Sequence, residues 1–221
     1  MCTNDCFGAC SYKLHILKEI IIGYAEHGVL HDQAIKRRLA CKLFVMLDTF
    51  WRMNMQNKFE VARQKYRPSE IEYLLVAESP PQKESGRFFY FEDVTKHDAL
   101  FLETMKVLYP SEYTDTKYVR RNKANFLQKF MNDGFYLIDS TDIPIVDKSK
   151  RQKQIEQALP DLRRKVRELA GSKTKIILVS RGVYDVCFNK LKSEGFNVIN
   201  TEMIDHPSSG GQTKYRNKSK R

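Results

Sequence analysis

Short apolar runs separated by helical stretches are the feature that most constrains the fold of this chain. Four runs have the Leu, Ile, Val and aromatic content of buried strands, at residues 73–77, 135–138, 176–179 and 196–199, the last continuing to Ile204. Helical patterns lie near residues 97–109, 117–133, 150–170 and 182–194. Strands that alternate with helices of this length favour right-handed crossovers between parallel strands. The sequence therefore predicts an α/β fold, a three-layer α/β/α sandwich with a central four-stranded parallel sheet.

The N-terminal part of the chain has a different pattern. From Ser11 to about Tyr66, apolar residues recur three or four positions apart, which predicts an all-helical layer. We place this N-terminal helical extension, packed on the core, at residues 1–67. The α/β/α domain then occupies residues 68–221 and ends in a basic tail.

Composition restricts the class of partner. The chain has 221 residues, of which 42% are apolar, and a formal net charge of +11. Such a charge favours a polyanion, nucleic acid ahead of a membrane surface, although a solvated basic surface is an alternative. No apolar run reaches the roughly 18 residues of a membrane helix, and the N-terminus lacks a signal-peptide pattern. We therefore expect a cytoplasmic monomer that does not associate with membranes.

The cysteines raise the question of a metal site. Cys2, Cys6 and Cys10 would line up on one face of a helix. Zinc sites usually have two-residue gaps between cysteines, and no close fourth ligand is evident. We expect unpaired thiols, no bound metal and no cofactor.

Polar residues follow each predicted strand, at the edge where parallel α/β sheets bind ligands. In chain order they include Glu78, Ser79, Asp139, Arg181 and His206. Two carboxylates and an imidazole that converge on one cleft could perform acid–base chemistry. Alternatively, Glu78 and Asp139 cap loops or helices, and the string at residues 206–211 is an ordinary surface turn.

Four segments of the chain resemble motifs of the uracil-DNA glycosylase superfamily, particularly its bacterial and archaeal iron–sulfur branch. Ala-Glu-Ser-Pro-Pro at 77–81 resembles the family's Gly-Glu-Ala-Pro-Gly, and His-Pro-Ser-Ser-Gly at 206–210 resembles its His-Pro-Ser loop. Ser-Gly-Arg-Phe-Phe at 85–89 is similar to Gly-Arg-Pro-Phe, and residues 136–139 lie where the family has a strand ending in a base-reading Asn. The segments occur in the family's order across residues 72–216.

The resemblance implies a monofunctional DNA glycosylase, which flips a base out of double- or single-stranded DNA and hydrolyses its N-glycosidic bond. His206 would donate to the base's O2, and Glu78 would orient water or stabilise the sugar cation. Asp139 is a third catalytic candidate. The base-binding residues would be Phe89, or alternatively Phe88, with Asp139 and Pro81. The DNA-binding residues would be Ser79, Ser208, Ser209, Gly210, Gln212, Lys214, Arg216 and Arg181, and Gln212 or Tyr215 could fill the space of the flipped base.

Departures from the uracil-removing pattern point to the substrate. Asp139 replaces Asn, and an ionised carboxylate only accepts hydrogen bonds, which suits the N4 amino group of cytosine. Pro81 stands where the uracil-specific branch has a Tyr that crowds C5. Ser79 replaces the water-activating Asp, so Asp139 or Asp142 could supply the catalytic carboxylate. If Asp139 does so, it does not read the base. No cysteine lies between Cys41 and Cys187, so we expect no iron–sulfur cluster.

These departures favour hydroxymethylated or glucosylated cytosine in phage DNA as the target, cleaved as a defence activity. Bacterial defence glycosylases of this superfamily follow the same logic. A repair glycosylase for uracil or deaminated bases is one alternative. A non-catalytic nucleic-acid-binding module of the same fold is another.

Overall fold

The computed structural model describes residues 58–82, 86–208 and 210–219. They belong to one compact unit, Asn54–Arg221. Most of the predicted helical extension, with Cys2, Cys6, Cys10 and Cys41, lies outside the described residues. Helix α1 (58–65) lay within that extension according to the predicted boundary at residue 67, but it belongs to the α/β unit.

The described elements alternate much as the sequence predicted. They are α1, β1 (Tyr73–Ala77), α2 (Ala99–Leu108), α3 (Thr116–Arg121), α4 (Lys123–Asn132), β2 (Phe135–Asp139), a 3₁₀ helix (Lys148–Lys150), α5 (Arg151–Leu169), β3 (Lys175–Leu178), α6 (Arg181–Ser193) and α7 (Gln212–Ser219). The single helix expected at 117–133 is two helices. Between them the Asn122 side chain donates to the backbone carbonyl of Tyr118, a local bond that competes with helix continuation.

The three strands form an open parallel sheet in the order β2-β1-β3. Leu75 pairs with Leu137 on one side and with Ile177 on the other. The predicted fourth strand contributes only two isolated parallel bridges, at Val198 and Ile204. Within the described residues the protein is therefore a mixed α/β structure with three strands.

A side chain explains why the fourth strand is interrupted. The Asn200 Oδ1 accepts from the Leu178 N–H at 2.9 Å, and its Nδ2 donates to the Leu178 carbonyl at 3.3 Å. These bonds occupy the edge of β3 between the two bridges. The ladder is thus completed by an amide side chain instead of by backbone.

The opposite edge of the sheet is closed by Tyr90. Its hydroxyl accepts from the Leu137 N–H at 2.7 Å and donates to the Leu137 carbonyl at 3.2 Å. The Tyr66 ring stacks on the Tyr90 ring with centroids 6.2 Å apart. The segment that follows Gly86 is therefore fixed along β2.

One face of the sheet is covered by α2 and α7. Val179, Ile204 and Tyr215 form a buried cluster against Leu100 and Val107. The Tyr215 hydroxyl lies 2.8 Å from Thr104 Oγ1, and the residue is only 3% exposed. Tyr215 therefore cannot act as the wedge that the sequence allowed.

We predict that removing two buried tyrosine hydroxyls has different effects on stability. Tyr136 is fully buried, and its hydroxyl has no hydrogen-bond partner among the described residues, whereas the Tyr90 hydroxyl makes two bonds. Tyr90→Phe should lower the free energy of unfolding by about 1–3 kcal/mol, because it leaves both Leu137 backbone groups unpaired. Tyr136→Phe should leave it unchanged or raise it. Urea unfolding measures both, and equal losses would contradict the assignment.

Candidate functional site

The loops after β1 and β2 begin side by side. Ala77 pairs with Asp139, and the next residues are joined because Ser140 Oγ donates to the Glu78 carbonyl at 2.6 Å. The Glu78 side chain turns toward α5, where its Oε1 lies 2.9 Å from Arg151 Nε. A carboxylate and a guanidinium therefore meet at the carboxyl edge of the sheet.

Arg151 is a site residue that sequence reasoning missed. It is the first residue of α5, and its stem passes close to Gly182 at the start of α6. A Cβ on Gly182 would lie 3.0 Å from Arg151 Cδ and 3.2 Å from Ile155 Cδ1. Glycine at 182 thus lets α6 approach α5 closely enough to hold the arginine against Glu78.

The imidazole of His206 is held in one tautomer. The Ser208 N–H donates to His206 Nδ1 at 3.2 Å, and Ser208 Oγ lies 2.9 Å from the same nitrogen. With Nδ1 accepting, a neutral ring carries its proton on Nε2. Loss of hydration on burial lowers the pKa of His206 to about 4, and the positive charge of Arg151 adds to the effect. At neutral pH the ring is therefore a neutral donor.

The backbone around His206 is tight. The Gly211 N–H donates to the Ser208 carbonyl at 3.2 Å, and a Cβ on Gly211 would lie 2.3 Å from the His206 carbonyl oxygen. Nearby, Ser180 donates its N–H to the Ile204 carbonyl at 2.9 Å and adopts φ 91°, ψ 149°. A non-glycine residue in this region costs on the order of 1–3 kcal/mol, a strain often found at functional sites.

Asp139 does not face an open cleft. It is 4% exposed, and its Oδ2 accepts from Arg63 Nη2 of α1 at 2.9 Å. Desolvation raises the pKa of Asp139 to about 6, while the positive charge of Arg63 opposes the rise. The carboxylate expected to read the base is thus bound by an arginine that the sequence assigned to another layer.

Phe88 and Phe89 are buried in the core, contrary to the expected stacking position. Phe89 packs against Phe101 and Phe130 with ring centroids 5.5 and 5.4 Å apart. Phe88 packs on Phe59 at 4.7 Å, and the Arg63 guanidinium lies 5.4 Å from its centroid. Neither ring has the open face that stacking on a base requires, whereas Pro81 is half-buried.

The residues expected to contact DNA fall into two groups. Three are engaged within the protein: Ser79 Oγ accepts from the Ile145 N–H at 3.3 Å, Ser208 contacts His206, and Arg216 Nη1 lies 2.5 Å from Glu103 Oε2. The others differ in exposure: Gly210, Lys214 and Arg181 are exposed and Gln212 is half-buried, whereas Ser209 lies outside the described residues. Arg216 is therefore neutralised by an ion pair, whereas Lys214 and Arg181 have no ion-pair partner in the part of the chain that the structure describes.

A cavity of about 460 Å³ lies between α1 and α5 beside β2. Its lining includes Arg63, Tyr136 and Ile138, together with Asp142 and Lys165. Lys165 Nζ lies 2.5 and 2.6 Å from the two carboxylate oxygens of Asp142. Asp142, the alternative catalytic carboxylate, is therefore held by a lysine.

Comparison of the chain with family models, with curated proteins and with solved structures found no match in any of the three. In the described part of the chain, no helix is long and apolar enough to cross a membrane. The same residues contain no cluster of three or more metal-ligating side chains.

We predict that His206 stays neutral well below the usual range of histidine. Because its pKa in the folded state is about 4, below the ordinary 6.5, the unfolded chain binds a proton first as the pH falls. The contribution of His206 to the free energy of unfolding is fully present above pH 6.5 and is lost as the pH falls from 6.5 to 4. NMR titration of the imidazole, assigned with His206→Gln, measures the pKa directly.

The same titration has an internal structural control. Gly211→Ala should displace the His206 loop and move the pKa toward 6.5, because the added Cβ would collide with the His206 carbonyl. A Cβ on Gly171 would lie 3.8 Å from its nearest neighbour, an ordinary contact distance, so Gly171→Ala should leave the pKa of His206 unchanged. A pKa near 6.5 in the native protein would contradict the desolvation of this half-buried ring.

Proposed function

We propose that the chain is a monofunctional DNA glycosylase, which hydrolyses the N-glycosidic bond of a flipped base and leaves an abasic site. The observation that carries this proposal is the hydrogen bond from the Ser208 N–H to His206 Nδ1, which leaves Nε2 as the donor of a neutral ring. It lies near a guanidinium that is paired with Glu78. A neutral donor suits a site where negative charge develops on an oxygen.

The chemistry follows from the bond that breaks. As the bond between C1′ and the base nitrogen lengthens, the electron pair leaves with the base, and negative charge accumulates on its O2. His206 donates a hydrogen bond from Nε2 to that oxygen. Water then adds its oxygen to C1′, and its proton ends on the departed base. The neutral ring keeps its Nε2 proton throughout and stabilises the oxygen through the hydrogen bond alone.

Glu78 acts electrostatically in this scheme. Arg151 Nε lies 2.9 Å from its carboxylate, so the Glu78 side chain is held in an ion pair. Its negative charge can still stabilise the cationic sugar, and its backbone is fixed by Ser140. This role agrees with Ser79 at the position of the water-activating Asp, and Arg151 acts as a positioning residue.

We extend the proposal to the fold. The parallel bridges at Val198 and Ile204 would represent a shortened fourth strand beside β3. Helices α2 and α7 on one face, with α5 and α6 on the other, would make up the three-layer sandwich of the superfamily.

For the target we propose 5-modified cytosine in phage DNA, with uracil as the alternative. Support comes from Pro81, which places no aromatic ring beside C5 of a bound base. Reading of the N4 amino group by Asp139 would require Arg63 to release the carboxylate.

Base release from matched duplexes tests the function. The duplexes carry uracil, cytosine, 5-hydroxymethylcytosine or glucosylated 5-hydroxymethylcytosine, and alkali-labile abasic sites are counted. We expect release from the modified cytosines and a loss of about 10²–10³-fold in His206→Gln, as for removal of one oxyanion donor. His97→Gln, at an exposed histidine, is the matched control and should retain activity.

The remaining outcomes separate the alternatives. Release of uracil alone would indicate a repair enzyme. Salt-sensitive DNA binding without release from any duplex would indicate a non-catalytic module, which Glu78→Ala and His206→Ala would leave unchanged. Asp139→Asn should be read only beside an unfolding curve, because it also weakens the contact with Arg63.

A further inference from the structure

We infer that the loop between β2 and α5, residues 142–150, carries an apolar wedge that enters the base stack of duplex DNA, with Val146 as the inserted side chain. This inference rests on the proposed function, because a flipped base leaves a space that an apolar side chain can fill. Residues 142–150 are called the wedge loop below.

Two large apolar side chains of the wedge loop point to solvent. Val146 is 70% exposed and Ile143 is 47% exposed. Val146 is the most exposed of the large apolar residues identified as exposed in the described part of the chain. Single exposed apolar residues are common, so exposure alone does not assign a role.

The wedge loop is held in a defined shape. The Ile145 side chain packs against the core, and its N–H donates to Ser79 Oγ at 3.3 Å. The Ile143 N–H donates to Thr141 Oγ1 at 3.2 Å, and Asp147 accepts from the Ser149 N–H at 2.9 Å. Pro144 further restricts the backbone. Because Ile145 anchors the loop inward, Val146 is directed outward and does not collapse onto the surface.

The charges around Val146 favour a nucleic-acid partner. Residues 142–153 contain four basic residues, Lys148, Lys150, Arg151 and Lys153, and two acidic residues, Asp142 and Asp147. Both acids have internal partners: Lys165 binds Asp142, and Lys150 lies 3.5 Å from Asp147. Lys148 and Lys153 are exposed, and no described residue pairs with them. An apolar tip beside unpaired lysines matches a base stack beside phosphates.

The position of the wedge loop ties it to the candidate site. Ser79, which anchors Ile145, directly follows Glu78, and the loop leads into Arg151, which pairs with that glutamate. The two wedge candidates from the sequence are less suitable, because Tyr215 is buried and Gln212 is half-buried. Val146 therefore belongs to a loop that is attached to the candidate site at Ser79 and at Arg151.

Binding of the full chain to two duplexes tests the inference without base release. One duplex carries a tetrahydrofuran abasic analogue next to 2-aminopurine, and the other is intact. We expect Val146→Ser to lose about tenfold of the preference for the abasic duplex and to abolish the 2-aminopurine fluorescence change. Val61→Ser, at a residue 63% exposed on α1, is the matched control and should behave like the native chain.

The lysines supply a second variant. Lys148→Gln with Lys153→Gln should weaken binding to both duplexes equally and reduce the salt dependence of affinity by about two phosphate contacts. A change confined to the abasic duplex would contradict a purely phosphate-binding role for these lysines.

Two results would overturn the inference. The first is Val146→Ser that binds both duplexes and changes 2-aminopurine fluorescence as the native chain does. The second is that the native chain binds vesicles containing phosphatidylserine, whereas Val146→Ser does not bind them but binds DNA as the native chain does. That result would assign the loop to a membrane surface. If Val146 governs the abasic preference and no base is released from any duplex, the wedge is retained and the glycosylase proposal fails.

Discussion

The ion pair between Arg63 and Asp139 connects α1 to the carboxyl end of β2, and the arrangement of the candidate site depends on it. Both side chains are buried, and Arg63 also pairs with Glu60. Loss of Arg63 would therefore leave the Asp139 charge buried and uncompensated, at a cost of about 3–5 kcal/mol. The pair also withdraws Asp139 from the edge of the sheet. Glu78 is consequently the strand-end carboxylate that faces Arg151, whose positive charge acts on His206.

Local pattern predicted the elements better than it predicted their contacts. An observed element corresponds to each of the apolar runs at 73–77 and 135–138 and to the helical pattern at 150–170. Such patterns are informative because the buried face of a helix or strand requires apolar residues at a regular spacing. The fourth strand was overestimated because Asn200 bonds to β3 through its side chain, which no hydrophobic pattern reveals. Likewise, consecutive aromatic residues at 88–91 fit a stacking motif and a core equally well.

The site residues that sequence reasoning missed act over long separations. Arg151 belongs to a basic run that fits a solvated helix start, and only folding brings it to Glu78. Gly182 gave no signal, because its role is to leave room for Arg151 and Ile155. The net charge also overstated the number of basic side chains that are free to bind a polyanion. Arg216 and Lys165 contribute to the total of +11, yet each is paired with a carboxylate.

The side chains that close the two edges of the sheet have a consequence for how copies of the chain meet. An unpaired strand edge is a template on which another molecule can add a strand, the first step of many aggregation reactions. Tyr90 takes the backbone groups of Leu137 on one edge, and Asn200 takes those of Leu178 on the other. The three-stranded sheet of the described residues thereby offers little backbone on which a second molecule could add a strand.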